Sequence, residues 1–264
     1  MAPYVDTGDL SGIMAKLPKY VQDKGNEIRV LMPRFGVVNE RKHKLHEVVR
    51  LSGMNIIVDD DDYPLIIKVA SYPGARMQVY FLDNEEFFKR KFVFHDANES
   101  PFEDNQERMV FFNKGVLETV RKLGWPPDVV VVSGWMSALI PFYIRTVYQD
   151  DPIFSNSKVV YLADNPSLGD TFTDDFFTKA SINELSEEDL SVFKNDEGKI
   201  SLHKGAILNS DALIKVNDPL EDELENYIKE ADIPVLTHSK EGDFLSEYID
   251  FFKELIVEPE EVEE

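Results

Sequence analysis

The sequence contains no cysteine. Disulfide staples, thiolate zinc sites and a cysteine nucleophile are therefore excluded, and the absence fits a reducing compartment. No apolar run approaches the roughly 18 residues that a membrane-spanning helix needs. The N-terminus lacks a basic-then-apolar signal sequence. These absences predict a cytoplasmic chain with no membrane span. There is no Gly-x-Gly-x-x-Gly fingerprint and no Walker loop. Basic residues are scarce: Lys and Arg number 28 against 50 Asp and Glu, for a net charge of −22. That field repels nucleic acid and anionic membranes. It also opposes nucleotide sugars unless a local basic pocket offsets it, and a neutral polysaccharide is indifferent to it.

What is present is a core. The chain has 264 residues, 43% hydrophobic and 11% aromatic, which excludes a disordered polymer and allows one large α/β domain. Leu10, Ile13, Met14, Leu17 and Val21 fall on one helical face, and Gly25 is a plausible stop. "EIRVLMP" reads as a short buried strand. "HEVVRL", "MNIIV", "PLIIKVASY" and "MQVYFLD" read as antiparallel strands, a β meander of about 44–83 inserted in the α/β pattern. Its four aspartates, Asp59 to Asp62, read as a solvated hairpin turn, because a calcium loop needs alternating oxygen ligands and a distant Glu. Then come a long helix, "NQERMVFFNKGVLETVRKLG", and the fully apolar strand Val129 to Val132, suited to burial on both faces. "MSALIPFYIRTVYQ", "SLHKGAILNS", "DPLEDELENYIKE" and "GDFLSEYIDFFKELI" read as helices, with "SKVVYLAD" and "DALIKV" as strands. Asp218 reads as an N-cap with Pro219 at the first helical position. The expected fold is a Rossmann-like parallel sheet flanked by helices. The expected domain runs over 1–256, with 257–264 as an acidic, solvated tail.

Ligands of open α/β sheets bind at the carboxyl ends of the parallel strands. Three loops qualify by position: "TGDLSG", "SGWMSA" and "ADNPSLGD". The five histidines are scattered and read as structural or surface residues. "GWMSA" does not match a Gly-x-Ser-x-Gly elbow. No residue pair reads as a general acid and base, so no catalytic residue, metal or cofactor is assigned.

Taken together, the loops resemble the N-terminal domain of bacterial glycogen and starch synthases, glycosyltransferase family 5. The resemblance covers roughly residues 1 to 225. It rests on "MAPYVDTGDLSGIMAKLPKYVQDKGNEIRVLMPRF", "PDVVVVSGWMSALIPFYIR", "KVVYLADNPSLGD" and "HKGAILNSDALIKVNDP". It implies half of a GT-B fold, and a family activity that transfers glucose from ADP-glucose to an α-glucan. It also implies a remnant cleft at Thr7, Gly8, Trp135, Asn165 and Lys204. The departures fall at Asp6, Asp9, Gly134, Met136 and Asp164. The family's Lys-x-Gly-Gly-Leu loop is here Asp6-Thr7-Gly8-Asp9-Leu10, which reverses a charge. Each carboxylate beside a pyrophosphate opposes it by roughly 1–4 kcal/mol at contact. The family's His-Asp-Trp-His loop is here Ser133-Gly134-Trp135-Met136, and its donor-side histidine matches Asp164.

The family's second domain, which holds most of the nucleotide site and the catalytic Arg, Lys and Glu, has no counterpart in these residues. A β-strand precedes the position of Met1 in that family. The resemblance therefore carries the expectation that residue 1 lies downstream of the true start or that the gene is truncated; otherwise the sheet would lack a central parallel strand. Three functions stay open: a catalytically degenerate domain that binds a ligand or regulates glucan metabolism, an ADP-glucose-dependent glucosyltransferase acting alone, or half of a split enzyme. The partners implied are α-glucan, ADP-glucose or a separate protein.

Overall fold

A computed structural model describes residues 1–6, 8–164, 172–182, 185–239 and 243–256. Thr7, Asn165 and the acidic segment 257–264 lie outside the described residues. The elements run α1 (Asp9–Asp23), β1 (Val30–Pro33), α2 (Glu40–His43), β2 (His46–Glu47), β3 (Met54–Val58), β4 (Asp61–Ser71), β5 (Gln78–Asp83), α3 (Glu85–Phe88) and α4 (Asn105–Leu123). They continue with β6 (Val129–Ser133), α5 (Leu139–Arg145), β7 (Lys158–Ala163), α6 (Asp175–Ala180), α7 (Leu202–Leu208), β8 (Ala212–Lys215), α8 (Asp222–Ala231), β9 (Val235–Thr237) and α9 (Phe244–Ile256). Among the described residues, no helix is long and apolar enough to cross a membrane.

The strands form two sheets. In the first the order is β1-β5-β4-β2, with β3 also on β4. β1 runs parallel to β5, Val30 opposite Val79, while β2, β3 and β5 all pair antiparallel with β4. The second sheet, β6-β7-β8-β9, is parallel throughout. Its strands are apolar on both faces because helices cover both. Val159, Tyr161 and Leu213 belong to the main core. Their alternate neighbours Val160, Leu162, Ala212 and Ile214 pack instead with Ile13 and Leu17 of α1 and Tyr248 and Phe252 of α9. That alternation is the period of two of a strand, read on both sides.

Several local features follow the sequence. Gly25 takes φ 89° just beyond the end of α1, a left-handed conformation that glycine adopts without a Cβ clash. Asp59 and Asp60 make the two-residue turn between β3 and β4, with Val58 opposite Asp61. Other features differ. "HEVVRL" forms a strand only at His46–Glu47. Beyond it the Ser52 hydroxyl accepts the Ile67 N–H at 3.0 Å, taking the place of a main-chain carbonyl and ending the ladder. Asp218 is not a helix cap: α8 begins at Asp222 after Glu221. Residues 218–221 instead lay Leu220 into the core, and its N–H goes to the Glu225 carboxylate at 3.3 Å. The three-residue β9 carries too short a pattern to be legible and exists through its pairing with β8.

Two buried cationic or titratable groups are structural. Lys114 Nζ donates to the carbonyls of Ile57, Lys179 and Ser181 at 3.0, 3.1 and 2.7 Å. Burial lowers its pKa to about 8, so it is charged at neutral pH. The His203 ring shares a 2.7 Å hydrogen bond with the Tyr161 hydroxyl through Nδ1, and burial lowers its pKa to about 4.

Replacing Lys114 with Met removes one donor and orphans three buried carbonyls, so Lys114→Met is expected to lower stability by about 3 kcal/mol at pH 7, read from urea unfolding. His203 folds neutral and protonates when unfolded, so its contribution is complete above the unfolded pKa and is lost as pH falls through the folded pKa of about 4. The loss at pH 4 is about 3 kcal/mol. Unfolding curves from pH 7 to pH 4 are expected to fall less steeply for His203→Gln than for the natural chain.

Candidate functional site

The carboxyl ends of β6 and β7 and the start of α1 converge. After β6 the chain turns at Gly134 with φ 70°. A Cβ there would also meet Leu10 Cδ1 at 3.2 Å and Asp164 Oδ1 at 3.7 Å. The left-handed φ is what favours glycine here, while the contact with Leu10 is tight and that with Asp164 ordinary. The turn is fastened by Ser137, whose Oγ accepts the Ser133 N–H at 3.0 Å and donates back to the Ser133 carbonyl at 2.9 Å. From α4, Asn113 Nδ2 donates to the Met136 carbonyl at 2.8 Å.

Trp135 is buried in this turn, and its ring meets Phe94 and Phe172 edge-on at centroid distances of 4.8 and 5.9 Å. It forms the wall of the cleft more than an open platform. Met136 is buried beside it. Asp164 ends β7, half-buried. Burial, with the Asp164 carboxylate adding to it, pushes the Tyr161 hydroxyl far above its ordinary range.

Across the cleft, Gly8 takes φ 96°, ψ −153° ahead of α1, a conformation reserved for glycine. Its carbonyl accepts the Ser11 N–H at 3.0 Å. Asp6 is exposed and its carboxylate accepts the Gly8 N–H at 3.3 Å. Asp9 is the first residue of α1.

Lys204 does not join this group. Its amine donates to the Lys194 carbonyl at 2.8 Å and lies 5.4 Å from the Tyr227 ring centroid. Gly134, Trp135, Met136 and Asp164 line one cavity with Leu10 and Ser11 of α1, and Lys204 is not among its lining residues. Sequence reasoning did not single out Phe94, Ser137 and Asn113. Ser137 carries a readable signal, a hydroxyl one turn after a strand end. Asn113 sits inside a helical pattern and carries none.

No acid–base machinery assembles among the described residues of the cleft. The Ser137 hydroxyl is committed to backbone, and the one buried imidazole, His203, is committed to Tyr161. No group of three or more potential metal ligands occurs among the described residues. Of the described residues Asp6, Gly8, Gly134, Trp135, Met136 and Asp164, two are aspartate and none is Lys or Arg. They can offer hydrogen-bond acceptors and an aromatic wall. Among them there is no cation for a phosphate.

Comparison with known proteins agrees with this geometry. The family description "Starch synthase catalytic domain" matches residues 1–232. Glycogen synthase of Chlorobium limicola is 39% identical over 166 residues, covering 62% of this chain and 34% of that protein. Glycogen synthase of Chlorobaculum tepidum is 32% identical over 218 residues, covering 82% of this chain and 44% of that protein. The chain thus spans between about a third and under half of the length of these relatives. Among solved structures, the catalytic domain of starch synthase IV from Arabidopsis thaliana, bound to ADP and acarbose, superposes with a TM-score of 0.71 at 16% identity, over 90% of this chain and 49% of that one. The α/β architecture is that of a GT-B half, and the chain belongs to the starch synthase catalytic domain family, glycosyltransferase family 5.

Proposed function

We propose that this glycogen synthase-like domain turns over no donor by itself and serves as a cytoplasmic α-glucan-binding or regulatory module. The observation that carries this reading is the charge of the rim. Asp6 and Asp164 stand beside Gly8, Gly134, Trp135 and Met136, with no Lys or Arg among these described residues. A pyrophosphate placed there meets like charge in a chain whose net charge is already −22. A neutral glucan pays no such penalty, and the Trp135–Phe94–Phe172 wall supplies apolar surface for a sugar face. Residues 1–256 act in this reading as one domain.

A second reading follows from length. Relatives named glycogen synthase extend well beyond the matched region, so a separate polypeptide carrying the remainder would complete a split ADP-glucose-dependent enzyme.

Calorimetric titration of ADP-glucose into the purified chain, taken to millimolar ligand, is expected to show no heat of binding, and glucose incorporation into glycogen is expected to stay at background. Glycogen cast into a native gel is expected to retard the chain. Glucose transfer by the isolated chain, or absence of retardation, overturns the first reading. The paired change Asp6→Lys with Asp164→His replaces two acceptors by a cation and a donor. It is expected to raise ADP affinity by about tenfold or more, about 1.4 kcal/mol, measured by the same titration.

A further inference from the structure

Acids outnumber bases 50 to 28 in this chain, so an exposed cation is expected to find a carboxylate within reach. Two segments depart from that. Residues 34–44 and 89–95 hold seven Lys and Arg against one acid, Glu40. The fold brings them together. Gly36, in the loop after β1, presses on the loop after α3. A Cβ at Gly36 would stand 2.1 Å from the Arg90 carbonyl oxygen and 2.4 Å from that of Lys89. Any side chain there collides with backbone, so glycine is what lets the two loops touch.

Glu40 does not offset these cations. Its carboxylate takes the Lys68 amine at 2.9 Å and lies 3.5 Å from Arg34 Nε. The same two cations hold the buried Asp83 at 2.9 and 2.8 Å. Arg90 is committed to Asp104 at 2.5 Å. What remains is Arg41, Lys42, Lys44, Lys89 and Lys91, all exposed and without an ion pair among the described residues. Glu47, Glu85 and Glu86 flank the two segments, and none of them pairs with the five.

Two further features coincide with this group. Six large apolar side chains among the described residues are exposed, and two of them, Val37 at 40% and Phe92 at 46%, stand in the same two loops. Lys44 takes the left-handed conformation, φ 53° and ψ 42°, just beyond α2. Glycine or asparagine usually fills such a place, and another residue is strained there. The Lys44 N–H reaches the Arg41 carbonyl at 3.4 Å, as the N–H of any residue but proline would, so closing α2 does not require a lysine. None of the five cations, nor Val37 or Phe92, lines the cavity that holds Trp135. The surface is therefore distinct from the cleft.

The mixture of charge and apolar surface selects among anions. A long polyanion that runs on past these loops meets the rest of a chain with net charge −22, and an anionic bilayer meets more of it. A single phosphate leaves the apolar pair uncovered. A short acidic peptide segment covers the cations and ends before the repulsive surface begins.

We propose that the face formed by the loops after β1 and α3 docks a short acidic segment of a partner protein, its carboxylates on the five cations and an apolar side chain on Val37 and Phe92. The inference goes beyond the reading of the cleft and does not depend on it.

Fluorescence anisotropy of the labelled peptide Asp-Glu-Leu-Glu-Phe-Glu-Asp-Glu, titrated with the natural chain at about 50 mM salt, tests it. The pair Lys89→Glu with Lys91→Glu is expected to weaken binding by about tenfold or more. The pair Lys122→Glu with Lys229→Glu makes the same change in net charge at exposed positions of α4 and α8, and is expected to weaken it by less than about twofold. Lys44→Gly is expected to weaken binding about threefold without lowering the melting temperature, because glycine relieves the left-handed strain. A peptide with amides in place of its acids is expected not to bind, and one with Ser in place of Leu and Phe to bind about fivefold more weakly. Retardation by glycogen is expected to be the same for the natural chain and for Lys89→Glu with Lys91→Glu, which keeps the outcome separate from that for the cleft. No saturable binding below about 1 mM, equal loss in the two charge-reversed pairs, or equal binding of the peptide without Leu and Phe overturns the proposal. So does tighter binding of single-stranded oligothymidylate or of phosphatidylserine vesicles than of the peptide. If the reversed pair at 89 and 91 fails to fold, Lys89→Gln with Lys91→Gln decides.

Discussion

Three consecutive residues of α4 hold the two sheets in one frame. Asn113 reaches the loop after β6 through the Met136 carbonyl. Lys114 reaches the end of β3 through the Ile57 carbonyl, and the end of α6 through Lys179 and Ser181. Gly115 lets the helix approach the first sheet so closely that a Cβ would meet Leu82 at 3.1 Å and Leu65 at 3.4 Å. Because β1 and β6 share no hydrogen bond, backbone pairing does not join the sheets. Side chains on one helix do much of that work, and each is buried where a lost partner leaves a polar group dry.

That frame sets the character of the cleft. The turn at Gly134 is stiff because Ser137 closes it from within and Asn113 anchors it from below. Its walls are therefore aromatic and rigid, and its rim is acidic. The net charge of −22 and the carboxylates of Asp6 and Asp164 act in the same direction. In the proposed reading, binding there depends on shape and on hydrogen bonding to neutral hydroxyls. The first loop carries Asp6 and Asp9 where the family resemblance implies a lysine and a second glycine.

Much of the fold was legible because its signals are local. The helical face of Leu10, Ile13, Met14, Leu17 and Val21 became α1, and the valine run became β6. The aspartates at 59 and 60 became the hairpin turn. Failures came where a distant group overrode a local pattern. Ser52 ends β2 by taking the Ile67 N–H, a partner fifteen residues away. Glu225 draws Leu220 inward and delays α8 to Asp222. In the site, Gly134, Trp135 and Asp164 could be named from strand ends. The contacts of Lys204 with the Lys194 carbonyl and the Tyr227 ring could not be read from sequence, because they depend on how α7 packs.

The sequence by itself determined the alternation of strands and helices, the excess of acid over base, and the two carboxylates, Asp6 and Asp9, that flank Thr7-Gly8. These are properties of residue type and near spacing, and they need no knowledge of the fold. The tertiary structure decided that Trp135 is a buried wall, and that β1 and β6 lie at the edges of two separate sheets and line one cavity. The reason is physical. Hydrogen-bond pairing between strands about a hundred residues apart leaves no mark in either strand, since a buried edge and a buried centre select the same apolar residues.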